Sequence, residues 1–244
     1  IKYRKPNKAF QKKFPNFPVP PNYIAYDAYS AAFWDHYKTS GEECCEYLLE
    51  KINKFTNKIT GSSENKINVC EWGCGPARIV RHLPEYLGEN YRIYGSDYNS
   101  ESIKWCSNTF PNITFKLNYL EPPLPFVDNT FDFIYCISVF THLSIDVGKK
   151  WLIELNRVVK PGGIILFTTS GEKASQNLTD SDREIYNKEG YLVRSNVKEG
   201  SRVYSARHSP SFLRNNFLLE FEILEFNEAE FPRCFQDVWI IRKK

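Results

Sequence analysis

Two carboxylates and two glycines stand at spacings that suit a small charged ligand. The run Val69-Cys70-Glu71-Trp72-Gly73-Cys74-Gly75-Pro76 sets an acid before a glycine turn, and Gly95-Ser96-Asp97-Tyr98 sets a second acid at the end of the next apolar run. Glycine lacks a Cβ and adopts positive φ cheaply, so backbone at Gly73 and Gly75 can approach a ligand closely. A carboxylate accepts hydrogen bonds only, and Asp97 at the second strand end fits the 2′,3′-diol of a ribose. Tyr98 beside it offers a flat face for a purine. Glu71 before the turn would repel phosphate and attract a cation. Arg78 also stands where the G-x-G-x-x-G fingerprint of nicotinamide and flavin enzymes has its third glycine. A ligand with a sulfonium and an α-amino group satisfies both constraints better than a dinucleotide.

The surrounding pattern must position these residues. After a polar break at 60–65, strands are expected over 67–72, 91–96, 113–117, 131–139 and 164–169. Helices are expected between them over 77–83, 100–109 and 145–159, with Pro161-Gly162-Gly163 as a tight turn. Such alternation predicts an open parallel sheet covered by helices on both faces. At the C-terminal end, a helix over 211–217 precedes strands over 218–226 and 238–242, whose short connection favours antiparallel pairing. The Lys-, Pro- and Asn-rich residues 1–22 read as an extended lead-in. Residues 23–57 read as an aromatic helical cap that carries Tyr26, Tyr29, Phe33, Trp34 and Tyr37. This cluster is either a lid over the ligand or ordinary packing against the sheet. The expected division is therefore 1–60 for the lead-in and cap, and 61–244 for the sheet domain, with a polar insert over 171–210.

Further residues fall at strand ends in order. Asn118-Tyr119-Leu120 closes the third strand, where amide and backbone can read an adenine edge. Ile137-Ser138 follows the fourth, and His142 comes shortly after it. Over residues 67–170 this series resembles the full motif set of the class I S-adenosylmethionine-dependent methyltransferases. The resemblance implies a Rossmann-like sheet of seven strands in the order 3-2-1-4-5-7-6, the seventh antiparallel. It assigns S-adenosylmethionine as cofactor, S-adenosylhomocysteine as product, and cofactor contacts to Glu71, Gly73, Cys74, Gly75, Asp97, Tyr98, Asn118, Tyr119, Leu120, Ile137 and Ser138. The Pro-rich lead-in, Ser138-Val139-Phe140-Thr141-His142-Leu143 and the closing Gln236-Asp237-Val238-Trp239-Ile240-Ile241-Arg242-Lys243 are similar to methyltransferases of bacterial polysaccharide and secondary-metabolite clusters.

Methyl transfer to a hydroxyl requires a base. His142, at the carboxyl end of the fourth strand, is the first candidate and His208 the second; a hydrogen-bonded structural histidine is the competing reading of each. Tyr186, Tyr191, Arg194 and Tyr204 give the insert aromatic and cationic content suited to a sugar or other polar acceptor. No metal site is expected.

Composition bounds the partners. Residues 1–13 carry Lys2, Arg4, Lys5, Lys8, Lys12 and Lys13 without an acid, while the rest of the chain is slightly acidic. That balance reads as a solvated basic tail and weighs against a broad nucleic-acid surface. The cysteine count of 7 is odd and forms no C-x-x-C pair, which predicts reduced thiols and a cytoplasmic location. No apolar run approaches the ~18 residues of a membrane helix. The chain begins at Ile1 and contains no methionine, which predicts that further sequence precedes it. A small-molecule or glycan acceptor is the expected partner. RNA or protein methylation, non-catalytic cofactor binding and a nucleotide-dependent enzyme are the alternatives.

Overall fold

The computed structural model describes residues 2–56, 66–194 and 196–244. Three helices come first: α1 (Arg4–Lys13), α2 (Asn22–Tyr29) and α3 (Trp34–Thr56). Strands and helices then alternate as β1 (Ile67–Trp72), α4 (Leu83–Leu87), β2 (Tyr91–Asp97), α5 (Ser100–Thr109), β3 (Ile113–Leu117), β4 (Phe131–Cys136), α6 (Ile145–Val158) and β5 (Val159–Thr169). The chain ends with α7 (Asp180–Glu189), β6 (Tyr191–Arg194), β7 (Ser205–His208), α8 (Pro210–Asn216), β8 (Phe221–Asn227) and β9 (Asp237–Lys243).

The main sheet has the order β3-β2-β1-β4-β5-β9-β8, and β6 and β7 form a separate antiparallel hairpin. Strands β1 to β5 are parallel, while β9 runs antiparallel to both β5 and β8. With the hairpin set aside, this is the expected 3-2-1-4-5-7-6 arrangement. Strand periodicity divides the core between two faces. Val69, Ile164, Leu166 and Ile240 pack under Cys45, Leu48 and Ile52 of α3 and Ile103 of α5. Cys70, Ile165, Phe167 and Trp239 pack under Trp151 and Leu155 of α6 and Phe217 after α8. The central strand β4 is buried along its whole length, as a parallel strand covered on both faces must be. Six of the cysteines are buried and Cys234 is exposed. No described helix is long and apolar enough to cross a membrane.

Several local expectations are corrected. The lead-in is not extended: α1 forms because Pro6 falls in its first turn, where a missing N–H loses no helical bond. Phe10 on that helix is buried with Ala25, Trp34 and Tyr37. Asn7 pins the helix, donating from Nδ2 to the Ala32 carbonyl at 2.8 Å and accepting at Oδ1 from Trp34 N at 3.1 Å. Ser30, at φ 61°, ends α2 and splits the expected cap helix. No helix spans 77–83, because Ala77 sits at φ 56° and only a single 3-10 turn precedes α4. The fourth strand stops at Cys136, since Ser138 at φ 62° turns the chain out of the sheet. Gly162 lies inside β5, where the pairing with β4 shifts register, so the Pro-Gly-Gly run makes a bulge. The expected boundary at 60–65 lies outside the described residues.

A packed α1 differs measurably from a solvated tail. Phe10→Ala should destabilise the protein by about 3 kcal/mol through lost burial and the cavity left behind. Urea unfolding measures this, with exposed Lys12→Ala as the neutral control. Equal midpoints for the two variants would show that α1 contributes nothing to the fold.

Candidate functional site

A cavity of about 390 Å³ opens at the carboxyl ends of β1, β2, β3 and β4. Open α/β sheets bind ligands at this position, where loops diverge beyond the strands. Its floor is the turn after β1. Gly73 N and Cys74 N both donate to the Ser96 carbonyl, at 2.7 and 3.0 Å, which folds the turn onto the end of β2. Gly73 has φ 78°, and a Cβ there would stand 2.3 Å from Val139 Cγ2. Only glycine fits, because the turn and the loop after β4 touch.

Two buried carboxylates hold this turn from within. Asp97 Oδ2 accepts from Gly75 N and Oδ1 accepts from Asn99 N, both at 2.8 Å. Burial raises its pKa, and these backbone donors pull it back. Glu71 Oε2 accepts from Val80 N at 2.9 Å and from the Tyr135 hydroxyl at 3.2 Å. Burial pushes Glu71 up to about 8, against the opposing field of Arg78. Each acid therefore spends part of its accepting capacity on the scaffold and still lines the cavity.

The other expected cofactor residues gather here too. Glu71, Gly73, Cys74, Gly75, Asp97, Tyr98, Asn118, Tyr119, Leu120, Ile137 and Ser138 all line the cavity. Asn118 is 3% exposed, and its amide faces inward: Oδ1 accepts from Ser96 Oγ at 2.7 Å and Nδ2 donates to the Tyr119 carbonyl at 2.7 Å. It holds the loop after β3 in shape. Ser138 Oγ donates to Gln236 Oε1 at 2.9 Å, and its backbone N donates to Thr168 Oγ1 at 2.8 Å, fixing the loop after β4 to β5.

The two histidines part company. His142 lines the cavity, and its Nδ1 meets the Tyr204 carbonyl at 2.7 Å. Only a protonated Nδ1 can donate to that oxygen, so Nε2 is the acceptor nitrogen of the neutral ring. Burial lowers its pKa, which keeps the ring neutral near pH 7. His208 lies outside the cavity, 2% exposed, against Phe212 and Phe217. Burial pushes it down to about 4. The expectation that His208 could act as a base is corrected on this geometry: it is a neutral core side chain.

Other residues reach the cavity from distant parts of the chain. The end of α2 supplies Asp27, Ala28, Tyr29 and Ser30, and the insert supplies Gly200 and Arg202. Of the aromatic cluster only Tyr29 lines the cavity, while Trp34 and Tyr37 form a small core with Phe10. The insert is latched to the rim by Tyr98, whose hydroxyl donates to the Gly200 carbonyl at 3.0 Å, and by Gly200 N, which donates to the His142 carbonyl at 2.9 Å. Tyr186, Tyr191 and Arg194, expected near an acceptor, lie outside the lining. Sequence order gave no sign of Asp27 or Arg202, because their approach depends on tertiary folding.

Residues 69–163 match the family model of a methyltransferase domain. The chain is 30% identical over 135 residues to an uncharacterised methyltransferase of Schizosaccharomyces pombe, covering 51% of this chain and 43% of that protein. It is 24% identical over 198 residues to a tRNA N(3)-methylcytidine methyltransferase of the same yeast, covering 74% of this chain and 61% of that one. The chain therefore spans less than two thirds of either relative's length. A crystal structure of an S-adenosylmethionine-dependent methyltransferase from Methanosarcina mazei shares the fold, with TM-score 0.55, 21% identity, and 76% of this chain and 96% of that chain covered. Sheet order and the position of the cavity define a Rossmann-like fold. Residues 69–163 of that fold carry the match to a methyltransferase domain.

The buried Glu71 has a thermodynamic signature. Its folded pKa of about 8 lies above the ordinary 4.5, so its contribution to stability is complete below pH 4.5 and is lost as pH rises through about 8. Ligand-free wild type should therefore lose stability relative to Glu71→Gln across that window in urea unfolding. Parallel stability curves for the two proteins would mean that Glu71 is not desolvated.

Proposed function

We propose that the protein moves the methyl group of S-adenosylmethionine to an oxygen or nitrogen atom of a small molecule or a sugar or glycan unit. The single observation that carries this reading is the charge pattern of one cavity. Glu71, Asp97 and Asp27 line it together with the glycine turn, and His142 and Arg202 line it from the loop after β4 and the insert. The residues fit the cofactor. Asp97 retains accepting capacity toward a diol, and Glu71 is placed to meet an ammonium group. When bound, S-adenosylmethionine supplies an electrophilic methyl carbon on a positively charged sulfur.

The protein's share of the chemistry is alignment, exclusion of water and removal of one proton. Backbone at Gly73 and Gly75 permits close approach, Tyr98 and the loop 118–120 face the adenosine side, and Asp97 holds the ribose. His142 Nε2 takes the proton of a hydroxyl acceptor, with Nδ1–H held by the Tyr204 carbonyl through the transfer. That carbonyl belongs to the insert, so the segment that shapes the acceptor side also orients the base. The latch of Tyr98 to Gly200 joins the adenosine side to the acceptor side of one rim.

A second reading, RNA methylation, draws on the tRNA-modifying relative, which covers 74% of this chain. The packing of α1 weighs against it, because the basic segment is built into the fold and is not a free arm.

Calorimetry with S-adenosylhomocysteine tests the cofactor site. Asp97→Ala should weaken binding by about 1–3 kcal/mol through lost charged hydrogen bonds. Unchanged affinity would remove the ribose assignment. Transfer from labelled cofactor to nucleotide sugars, glycans and cell extract tests the acceptor class, with methylated tRNA as the outcome that favours the second reading. On a hydroxyl acceptor, the rate should fall as pH drops below 6.5 and His142 takes up a proton. His142→Ala should slow transfer about 100-fold or more and abolish that limb while cofactor affinity holds. A wild-type rate and profile in the variant would exclude His142 as the base.

A further inference from the structure

The basic N-terminal helix forms one wall of a second groove. This groove, of about 1100 Å³, lies between α1, the segment 19–22, α2 and Trp105 of α5. Arg4, Lys8 and Gln11 line it from one face of α1, at the spacing that makes helical side chains neighbours. Lys2 joins them from just before the helix. Among the described residues no acid lines the groove, and Lys2, Arg4 and Lys8 make no ion pair. Lysines of α3 differ: Lys38 pairs with Glu42, and Lys51 and Lys54 both pair with Glu225.

The other side of the groove is aromatic and polar. Tyr26 is 61% exposed there, and the half-buried Trp105 faces the same space. The amides of Gln11 and Asn22 line it too and make no side-chain hydrogen bond among the described residues. The walls are set before any ligand arrives. Pro20 and Pro21 fix the backbone of the connecting segment, and Asn7 clasps α1 to Ala32 and Trp34. Held cations and rings cost less to order on binding than those of a free arm. Ser30 lines both this groove and the cofactor cavity, so the two meet at the end of α2.

Three unpaired cations call for an anionic ligand, and free amides call for hydroxyl groups. Flat, exposed rings would serve a sugar face or a nucleic-acid base equally, so the charges decide. Nucleic acid carries a phosphate at every step and needs a broad basic surface, whereas the groove leads to a cavity lined by Asp27, Asp97 and Glu71. An acidic oligosaccharide places its carboxylates on some rings and can present a neutral ring to that cavity. Resting on the glycan reading above, we infer that the groove binds an acidic oligosaccharide and so holds a glycan acceptor beside the cavity. Its carboxylates meet Lys2, Arg4 and Lys8, and a sugar face lies on Tyr26.

Calorimetry on the intact protein tests the groove with three probes: an oligogalacturonide, a neutral malto-oligosaccharide of the same length and an oligouridylate. Wild type should bind the acidic sugar about tenfold or more tightly than the neutral one, the sum of several exposed ion pairs, with the gap closing as salt rises. Arg4→Glu with Lys8→Glu should abolish the preference. Lys5→Glu with Lys12→Glu makes the same charge change on exposed residues outside the lining and should keep most of it. Tyr26→Ala should weaken the acidic sugar without changing its salt dependence. Equal affinity of wild type for the acidic and neutral sugars would overturn the inference without any variant. An equal loss in both charge-reversed pairs would overturn it by reducing the effect to net charge, and tighter binding of the oligouridylate would overturn it in favour of RNA. Binding without methyl transfer from labelled cofactor to the acidic sugar would overturn the acceptor role and leave the binding site standing. Transfer with equal affinities for the two sugars would do the reverse.

Discussion

The carboxylate of Asp97 at the tip of β2 receives the backbone N–H of Gly75 through one oxygen and that of Asn99 through the other. This pair of bonds joins three things that the chain makes separately: the turn after β1, the end of β2 and the start of α5. Asn99 then caps α5, its side-chain oxygen accepting from Ser102 N at 2.9 Å, and donates from Nδ2 to Asp27 at the end of α2. Glu71 does the corresponding work on the other side of the turn, through Val80 and Tyr135. The two acids lie close enough for Asp97 to raise Glu71 further. Burying like charges near each other is unfavourable until a cation faces them, and Arg78 lowers that cost.

The N-terminal helices are consequently part of the site. The Tyr37 hydroxyl donates to the Pro76 carbonyl at 2.5 Å, so α3 grips the glycine turn from outside while the acids grip it from inside. A side chain at Gly41 would run into the Arg78 carbonyl at 2.2 Å, which shows how closely α3 lies on this segment. Phe10, Phe17 and Trp34 fill the space behind Tyr37 with edge-to-face ring contacts. This small aromatic core fixes where Tyr29 and Asp27 meet the cavity.

Much of the sheet was legible because its signals are local. The apolar runs of β1, β3 and β4 and the Asn-capped α5 follow from periodicity and capping chemistry. The glycine turn and Asp97 were legible for the same reason, since strand-end position follows once strands are placed. What failed depended on surroundings. Residues 77–83 have helical composition, yet Val80 N is committed to Glu71, which bends the segment into a turn. Pro6 and the lysines suggested a loose tail, and only the buried Phe10 and the clasp of Asn7 hold α1 in place. His142 and His208 looked alike in sequence. Tertiary packing gives the first a carbonyl partner in the cavity and encloses the second in phenyl rings.

The position of β1 in the sheet has a kinetic consequence. It is flanked by β2 on one side and, on the other, by β4, whose partner residues lie more than sixty positions further along the chain. The cavity takes residues from as early as Asp27 and as late as Arg202. Contacts of such sequence separation close large loops and form late, so parallel sheets of this kind fold slowly. No short stretch of the nascent chain contains enough of the site to hold a ligand. Binding competence therefore arrives with completion of the whole sheet, and a ligand that recognises the cavity stabilises the native state without assisting its early intermediates.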